Sequence, residues 1–228
     1  MKPLEVNYVQ ANGDCALLIF FKLHPNQPMR LQSLAHYIRQ QLVDGIVDVV
    51  PAVDSLMLVF DRPITVDDEM MAAIHEACEQ SATMDLNSQS HEIPVCYHPD
   101  VAPDLTAVMR QTGLALEEII ALHSQPSYGI SFLGFLPGFA YLSGLAKSLQ
   151  IPRKSVPSAQ TPAGSVAIAN QQCGLYALNS PAGWHVIGRT PVSLINWQHP
   201  QTMRYQALDT IKFKPIDLAQ FEQDYDAY

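Results

Sequence analysis

Two arginines flank a run of glycine turns in the second half of this chain, and a guanidinium in that setting does one kind of chemistry well. Arg153 follows a proline in Ile151-Pro152-Arg153-Lys154, and Arg189 closes the run Gly183-Trp184-His185-Val186-Ile187-Gly188-Arg189. A guanidinium grips a carboxylate or a phosphate through two parallel hydrogen bonds. Aimed into one cleft, the pair would clamp a small anion; aimed outward, they would make surface salt bridges. Gly164-Ser165 can offer backbone N–H groups and a hydroxyl to an oxyanion, or can simply turn the chain into a strand. Asn179 and Ser180 read the same two ways. Trp184 suits a core anchor or a pocket wall, and His185 alternates outward if Trp184 faces in. Phe135, Pro137 and Phe139, with Phe132 and Tyr141, form an aromatic stretch that fits either a buried hairpin or an exposed docking ridge. His123 ends an expected helix, where a cation is favoured.

Other reactive residue types lack the company they need. Cys96 and His98 lie two apart on one expected strand, but two ligands do not make a metal site. Asp67, Asp68 and Glu69 read as the charged start of a helix. The four cysteines, Cys15, Cys78, Cys96 and Cys173, include no Cys-x-x-Cys pair, which argues against a zinc ribbon or a disulfide scaffold. Cys15 and Cys96 sit in apolar runs where a thiol fills space, which leaves Cys173, in Gln171-Gln172-Cys173-Gly174, as the candidate for exposure. No Gly-x-x-x-x-Gly-Lys-Ser/Thr, His-Glu-x-x-His, Gly-x-Ser-x-Gly or Gly-x-Gly-x-x-Gly occurs, so neither a self-contained nucleotide motif nor a metal ligand set is visible.

The elements that must position these residues fall into two textures. Leu4 to Val9 and Cys15 to Phe21 read as strands around an Asn12-Gly13-Asp14 turn. Leu31, Leu34, Ala35, Ile38 and Leu42 recur at helical spacing, with Asn26 and Pro28 to start the helix and Gly45 to end it. Ile46–Val50 and Leu56–Phe60 are two further strands. Thr65 and Asp68 have capping-box spacing for a helix running to about Gln80. Ser81 to Ser90 is polar and linker-like, and Ile93 to Tyr97 is another strand. The β-β-α-β-β-α-β order predicts a split β-α-β arrangement with helices on one face of a small sheet. Asp104 to Thr112, stopped by Gly113, and Leu116 to His123 predict two short helices. From Tyr128 onward short β-rich runs alternate with Gly/Pro turns, which predicts a barrel or a sandwich. The expected domains are 1–90, α+β, and 91–228, mainly β with two short helices near its start.

The bulk composition sets the outer limits. The 228 residues carry a net charge of −9, which argues against nucleic acid as a partner. Residues 1–90 hold 5 Lys/Arg against 12 Asp/Glu, a net of −7, whereas residues 91–216 hold 8 against 6, a net of +2. The less acidic stretch carries the special turns, in keeping with a pocket for a small anion. No apolar run reaches the roughly 18 residues of a membrane span, and the first residues lack a secretory pattern, so a cytoplasmic protein without membrane contact is expected.

At these same residues the chain resembles a known family, that of the 5-oxoprolinase B subunit, also called the KipI or allophanate hydrolase subunit 1 family. The resemblance rests on Leu122-His123, Tyr128, Gly134-Phe135-x-Pro137-Gly138-Phe139-x-Tyr141-Leu142, Pro152-Arg153, Pro162-Ala163-Gly164-Ser165-Val166 and Gly183-Trp184-x-x-Ile187-Gly188-x-Thr190, in the family's order and spacing. Fainter echoes are Gly13-Asp14-x-Ala16-Leu17-Leu18, Ile93-Pro94-Val95 and Pro103-Asp104-Leu105. The chain departs from the pattern where the family often has a second Pro-Arg (here Pro157-Ser158) and Gln-Thr-Gly (Gln172-Cys173-Gly174). It departs again at Pro-Gly-Gly-Trp (Pro181-Ala182-Gly183-Trp184), at a late Gly-Asp (Leu208-Asp209) and at a Gly-Gly (His98-Pro99).

The resemblance implies a small α+β domain followed by a cyclophilin-like β-barrel, one half of a carboxyltransferase-like module. It implies one component of an ATP-dependent 5-oxoprolinase that opens 5-oxo-L-proline to L-glutamate. A larger partner, of the kind called the C subunit in 5-oxoprolinases, and a third subunit would complete the enzyme, with ATP bound by or shared with the partner. It implies that Arg153, Arg189, Gly164, Ser165 and Asn179 face substrate, and that Phe135, Pro137, Phe139, Trp184 and His123 form an interface or pocket wall. The family also contains an inhibitor of a sensor histidine kinase, which gives a second implied role as a binding protein. A urea or allophanate pathway subunit is a third; the chain carries neither a biotin-attachment Met-Lys-Met nor an amidase Ser-Ser-Lys apparatus.

Overall fold

The computed structural model describes residues 2–24, 26–41, 45–82, 84, 86–195 and 203–225. They form two compact units, Met1–Asn87 and Ser88–Tyr228.

In the first unit, β1 (Val6–Ala11), β2 (Ala16–Phe21), α1 (Gln27–Gln40), β3 (Ile46–Pro51), β4 (Ser55–Phe60) and α2 (Asp68–Ser81) follow in order. The sheet order is β1-β2-β4-β3, every neighbour antiparallel. β2 and β3 therefore run parallel on either side of β4, which is the split β-α-β arrangement. The period-2 pattern sends Leu17, Ile19, Leu56 and Leu58 to one face, where α1 supplies Leu31, Leu34, Ala35 and Ile38 and α2 supplies Ile74, Ala77 and Cys78. Burial pushes the Cys78 thiol up to about 12.

The helix ends differ in detail from the expectation. Asp67, not Thr65, caps α2, accepting from Met70 N–H at 2.9 Å. α1 ends at Gln40 with Gln41 as its cap, so Gly45 is not its stop, and Leu42 lies outside the described residues. Arg30, on the buried face of α1, donates to Ala82 O at 2.7 Å and so satisfies a carbonyl at the end of α2.

The second unit begins with β5 (Ser90–Cys96), which in sequence continues the first pattern but in space joins the next sheet. α3 (Leu105–Thr112) and α4 (Leu116–Ser124) follow. Then come β6 (Ser127–Leu133), β7 (Ala140–Ser143), a 3₁₀ turn at Lys147–Leu149, β8 (Ser158–Thr161), β9 (Ser165–Ala169) and β10 (Gln172–Leu175). β11 (Ser180–Ala182), β12 (His185–Arg189), β13 (Thr210–Ile216) and α5 (Leu218–Tyr225) complete it.

Seven strands close a barrel in the order β10-β7-β6-β13-β5-β12-β9, while β8 and β11 form a separate two-stranded ribbon. β13 pairs with β5 in parallel through seven residue pairs; the other barrel pairings are antiparallel. Alternation along β9 decides what lies where. Val166 and Ile168 enter the barrel core with Val95, Tyr128, Leu142, Leu175 and Phe213. Ala167 and Ala169 join a second layer made by Phe139, Tyr176, Ala182, Trp184 and Val186. The fold is thus α+β followed by a closed β-barrel.

Candidate functional site

The turn from β8 into β9 organises the site. Gly164 sits at φ +82, and a Cβ there would collide with the carbonyl oxygen of Thr190, so only glycine lets β12 approach this closely. Its N–H donates to Tyr176 O at 2.8 Å and its carbonyl accepts from Thr190 N–H at 2.9 Å; Ser165 N–H donates to Pro162 O at 3.2 Å. The amides of Gly164 and Ser165 are thus engaged inside the fold rather than offered to a ligand. The Ser165 hydroxyl is different: it is fully buried and has no protein partner. Thr161 and Ser180, opposite one another across the β8–β11 ribbon, bury unpartnered hydroxyls as well.

Asn179 and Arg189 hold the turn from outside. Asn179, exposed, accepts from Ala163 N–H through Oδ1 at 2.7 Å. Arg189 is the register partner of Ser165, and its Nε donates to Ala163 O at 2.9 Å. The rest of that guanidinium is claimed by α5. Nη2 donates to the Tyr225 hydroxyl at 3.0 Å, and the group lies 4.9 Å from the Tyr225 ring centre and 5.8 Å from that of Phe221. Gly164, Ser165, Asn179 and Arg189 therefore gather around one turn.

Arg153 does not join them. It is exposed and stands 5.8 Å from the Trp184 ring centre, so the two guanidinium groups rest on different partners. Lys154, next to it, is bound to Asp104 at 2.8 Å and to the Ser158 hydroxyl at 2.6 Å.

The aromatic stretch divides between surface and interior. Phe139 and Trp184 are buried, 5.8 Å apart edge to face, and a Cβ on Gly174 would come within 2.8 Å of both rings. Phe135 is 60% exposed, sits at φ 69 and meets Phe139 edge-on at 5.5 Å; Pro137 is exposed beside it. A bulky residue at positive φ is strained.

His123 lies inside the barrel, not on a wall open to solvent. It is fully buried and stacked 4.7 Å from Phe213. Its Nδ1 is 2.7 Å from the Tyr97 hydroxyl, its Nε2 is 3.3 Å from Cys173 Sγ, and its carbonyl accepts from Tyr128 at 3.0 Å. Burial holds the imidazole down to about 3 and pushes the Cys173 thiol up. Cys173, expected at the surface, is thus sealed in the core, and the Cys–His pair is neutral rather than a nucleophile with its base. Fifty positions separate the two residues, and barrel closure joins them. His185 does not alternate outward from Trp184. It is also buried, with Nε2 3.0 Å from Pro152 O, because Trp184 precedes the strand and β12 is covered on both faces from His185 to Gly188.

Among the described residues no group of three His, Cys, Asp or Glu is placed to hold a metal ion, and no helix is long and apolar enough to cross a membrane.

Comparison with known proteins places this geometry. The B subunit of the Bacillus subtilis 5-oxoprolinase is 34% identical over 239 residues, covering 99% of this chain and 98% of that protein. The crystal structure of TTHA0988 superposes with a TM-score of 0.75 at 28% identity over 92% of this chain; the chain spans 40% of the length of that longer protein. The Kluyveromyces lactis urea carboxylase shares the fold, with a TM-score of 0.68 at 17% identity, and covers 98% of this chain, which matches 24% of the enzyme. The family described as carboxyltransferase domain, subdomain C and D, matches residues 7–204. The chain belongs to that carboxyltransferase subdomain C and D family, in the company of the 5-oxoprolinase B subunits.

Proposed function

We propose that this chain is one subunit of a heteromeric, ATP-dependent 5-oxoprolinase that hydrolyses 5-oxo-L-proline to L-glutamate with a larger carboxyltransferase-like partner and a third subunit. One observation carries the reading: the end-to-end correspondence, at 34% identity, with a relative named as the B subunit of 5-oxoprolinase. The turn at Gly164 supports it from the structural side. Arg189 is the group suited to the substrate carboxylate, and Ser165 and Asn179 flank it. Arg153, on its own aromatic platform, would contact the partner or the substrate's far side.

The chain carries no self-contained nucleotide motif, and Lys154, the lysine nearest the glycine turns, is held by Asp104 and Ser158, so ATP is assigned to the partner or shared with it. The test is to co-express the chain with the neighbouring large and third subunits, purify the complex and measure glutamate released from 5-oxo-L-proline with ATP. Release is expected, and Arg189→Gln should reduce it at least tenfold, mainly through KM. An assembled complex that makes no glutamate overturns the reading.

Phe135 supports a second reading, a protein inhibitor of a sensor histidine kinase. A strained, exposed aromatic at a loop tip suits a docking contact. Autophosphorylation of a kinase dimerisation–catalytic fragment, unchanged at saturating protein, would retire it.

A further inference from the structure

The first unit contains a cleft that the proposed reaction does not use. It has a volume of about 620 Å³, within the range of small-molecule sites. α2 presents Met70, Ala73, Ile74 and Ala77 along one wall; the two alanines leave the space that larger residues would fill. Tyr37 in the last turn of α1 and its cap Gln41 form the other wall, and Ile46, Leu58 and Phe60 form the floor. Five of the lining residues, Tyr37, Ile46, Phe60, Ile64 and Met70, are among the eight partly buried apolar side chains packed on the unit's core, so most of that residual apolar surface faces one place.

The rim fixes the charge of what would fit. Among the described residues, Asp67, Glu69 and Glu76 line it against one guanidinium, Arg62. Arg62 lies 3.4 Å from Asp61, so its charge is already opposed by a fourth carboxylate. Glu69 and Glu76 are exposed and two helical turns apart on α2, flanking Ala73. The first 90 residues carry −7, so the wider field has the same sign. A nucleotide and 5-oxo-L-proline are both anions and are repelled here. We propose that this cleft binds a small amphipathic cation, an aryl or alkyl body in the apolar trough with an ammonium head at the Glu69–Glu76 rim. The site is built from residues of the first unit alone, whereas the turn at Gly164 belongs to the second.

The probe is 2-phenylethylamine, with 2-phenylethanol as its neutral and 3-phenylpropionate as its anionic counterpart, titrated into the full ¹⁵N-labelled chain and read by amide shifts. The expected result is saturable shifts confined to residues around Tyr37, Phe60, Met70 and Ala73, in the affinity order amine, alcohol, acid. Glu69→Gln with Glu76→Gln should weaken the amine roughly threefold to tenfold and leave the alcohol unchanged, and high salt should do the same. Ala73→Phe, at an exposed position, should abolish binding of both without loss of the thermal transition; if it fails to fold, the charge pair and the salt series still decide. The proposal is overturned by shifts elsewhere, by no saturation at millimolar amine, or by an acid that binds as well as the amine. It is equally overturned by cleft shifts that follow protein concentration alone, which would mean a second copy is the occupant. Since no partner is needed, failure here leaves the 5-oxoprolinase reading untouched, and the reverse holds.

Discussion

Leu208 adopts φ +76 and donates its N–H to Ile130 O at 2.8 Å. Holding a leucine in the left-handed region costs on the order of 1–2 kcal/mol, and glycine removes that cost while losing some entropy in the unfolded chain. Leu208→Gly should therefore stabilise by about 0.5–1 kcal/mol and raise Tm by roughly 1–4 °C in a thermal melt; a lower Tm would mean that the Leu208 side chain packs for more than its backbone loses. Next to it, Asp209 is buried, which by itself raises its pKa. Bonds from Gln89 N–H at 2.8 Å, Gln206 N–H at 3.0 Å and His91 more than reverse this and hold the carboxyl below its usual range. His123 gives a sharper test. Its imidazole titrates near 3 in the folded barrel against about 6.5 unfolded, so between those pH values the unfolded chain holds the extra proton. Stability is complete above pH 6.5 and falls by at most about 1.4 kcal/mol per unit as pH drops toward 3. His123→Phe, which keeps the stack on Phe213, should flatten that limb in a series of melts, and an unchanged slope would assign the acid loss to other groups.

At the scale of elements, α5 is the piece to watch. It is short, and Phe221 is its buried anchor. Its contact with Arg189 runs through the hydroxyl and ring of Tyr225 and the ring of Phe221. Tyr225→Ala should lower the KM of the assembled complex for 5-oxo-L-proline severalfold with kcat unchanged; a raised KM would show that Tyr225 helps hold the substrate instead. The strands and both helices of the first unit were legible because strand alternation and helical spacing use local sequence alone, and Asp67 displaced Thr65 as the cap by only two positions. Around the site, the Gly164 turn could be read from its residue types. The claim of α5 on Arg189 could not, since no local pattern reports what a terminal helix packs on. The same holds for Cys173 and His123: a polar Gln-Gln-Cys-Gly run and a helix end both suggest surface, and only ring closure of the strands puts both inside.

For the whole molecule, each unit has its own core, Leu17, Ile19, Leu31 and Leu56 in one and Val95, Tyr128, Val166 and Phe213 in the other. A chain reduced to residues 88–228 should therefore fold, with dispersed amide resonances and a cooperative melt. A collapsed spectrum would mean that the barrel needs the first 87 residues.

Closure of the barrel also has a consequence in time. Gln89 bonds to Asp209, 120 positions away, and β13 is the strand that bridges β5 and β6. On the ribosome, the wall cannot be completed until β13 has left the exit tunnel. Until then β5 and β6 each present a bare edge, and the chain entropy of so wide a loop is lost only when β13 docks. The nascent polypeptide is in that interval open to mispairing and to holdase chaperones, and any assembly that needs the intact cylinder must wait for β13 to emerge.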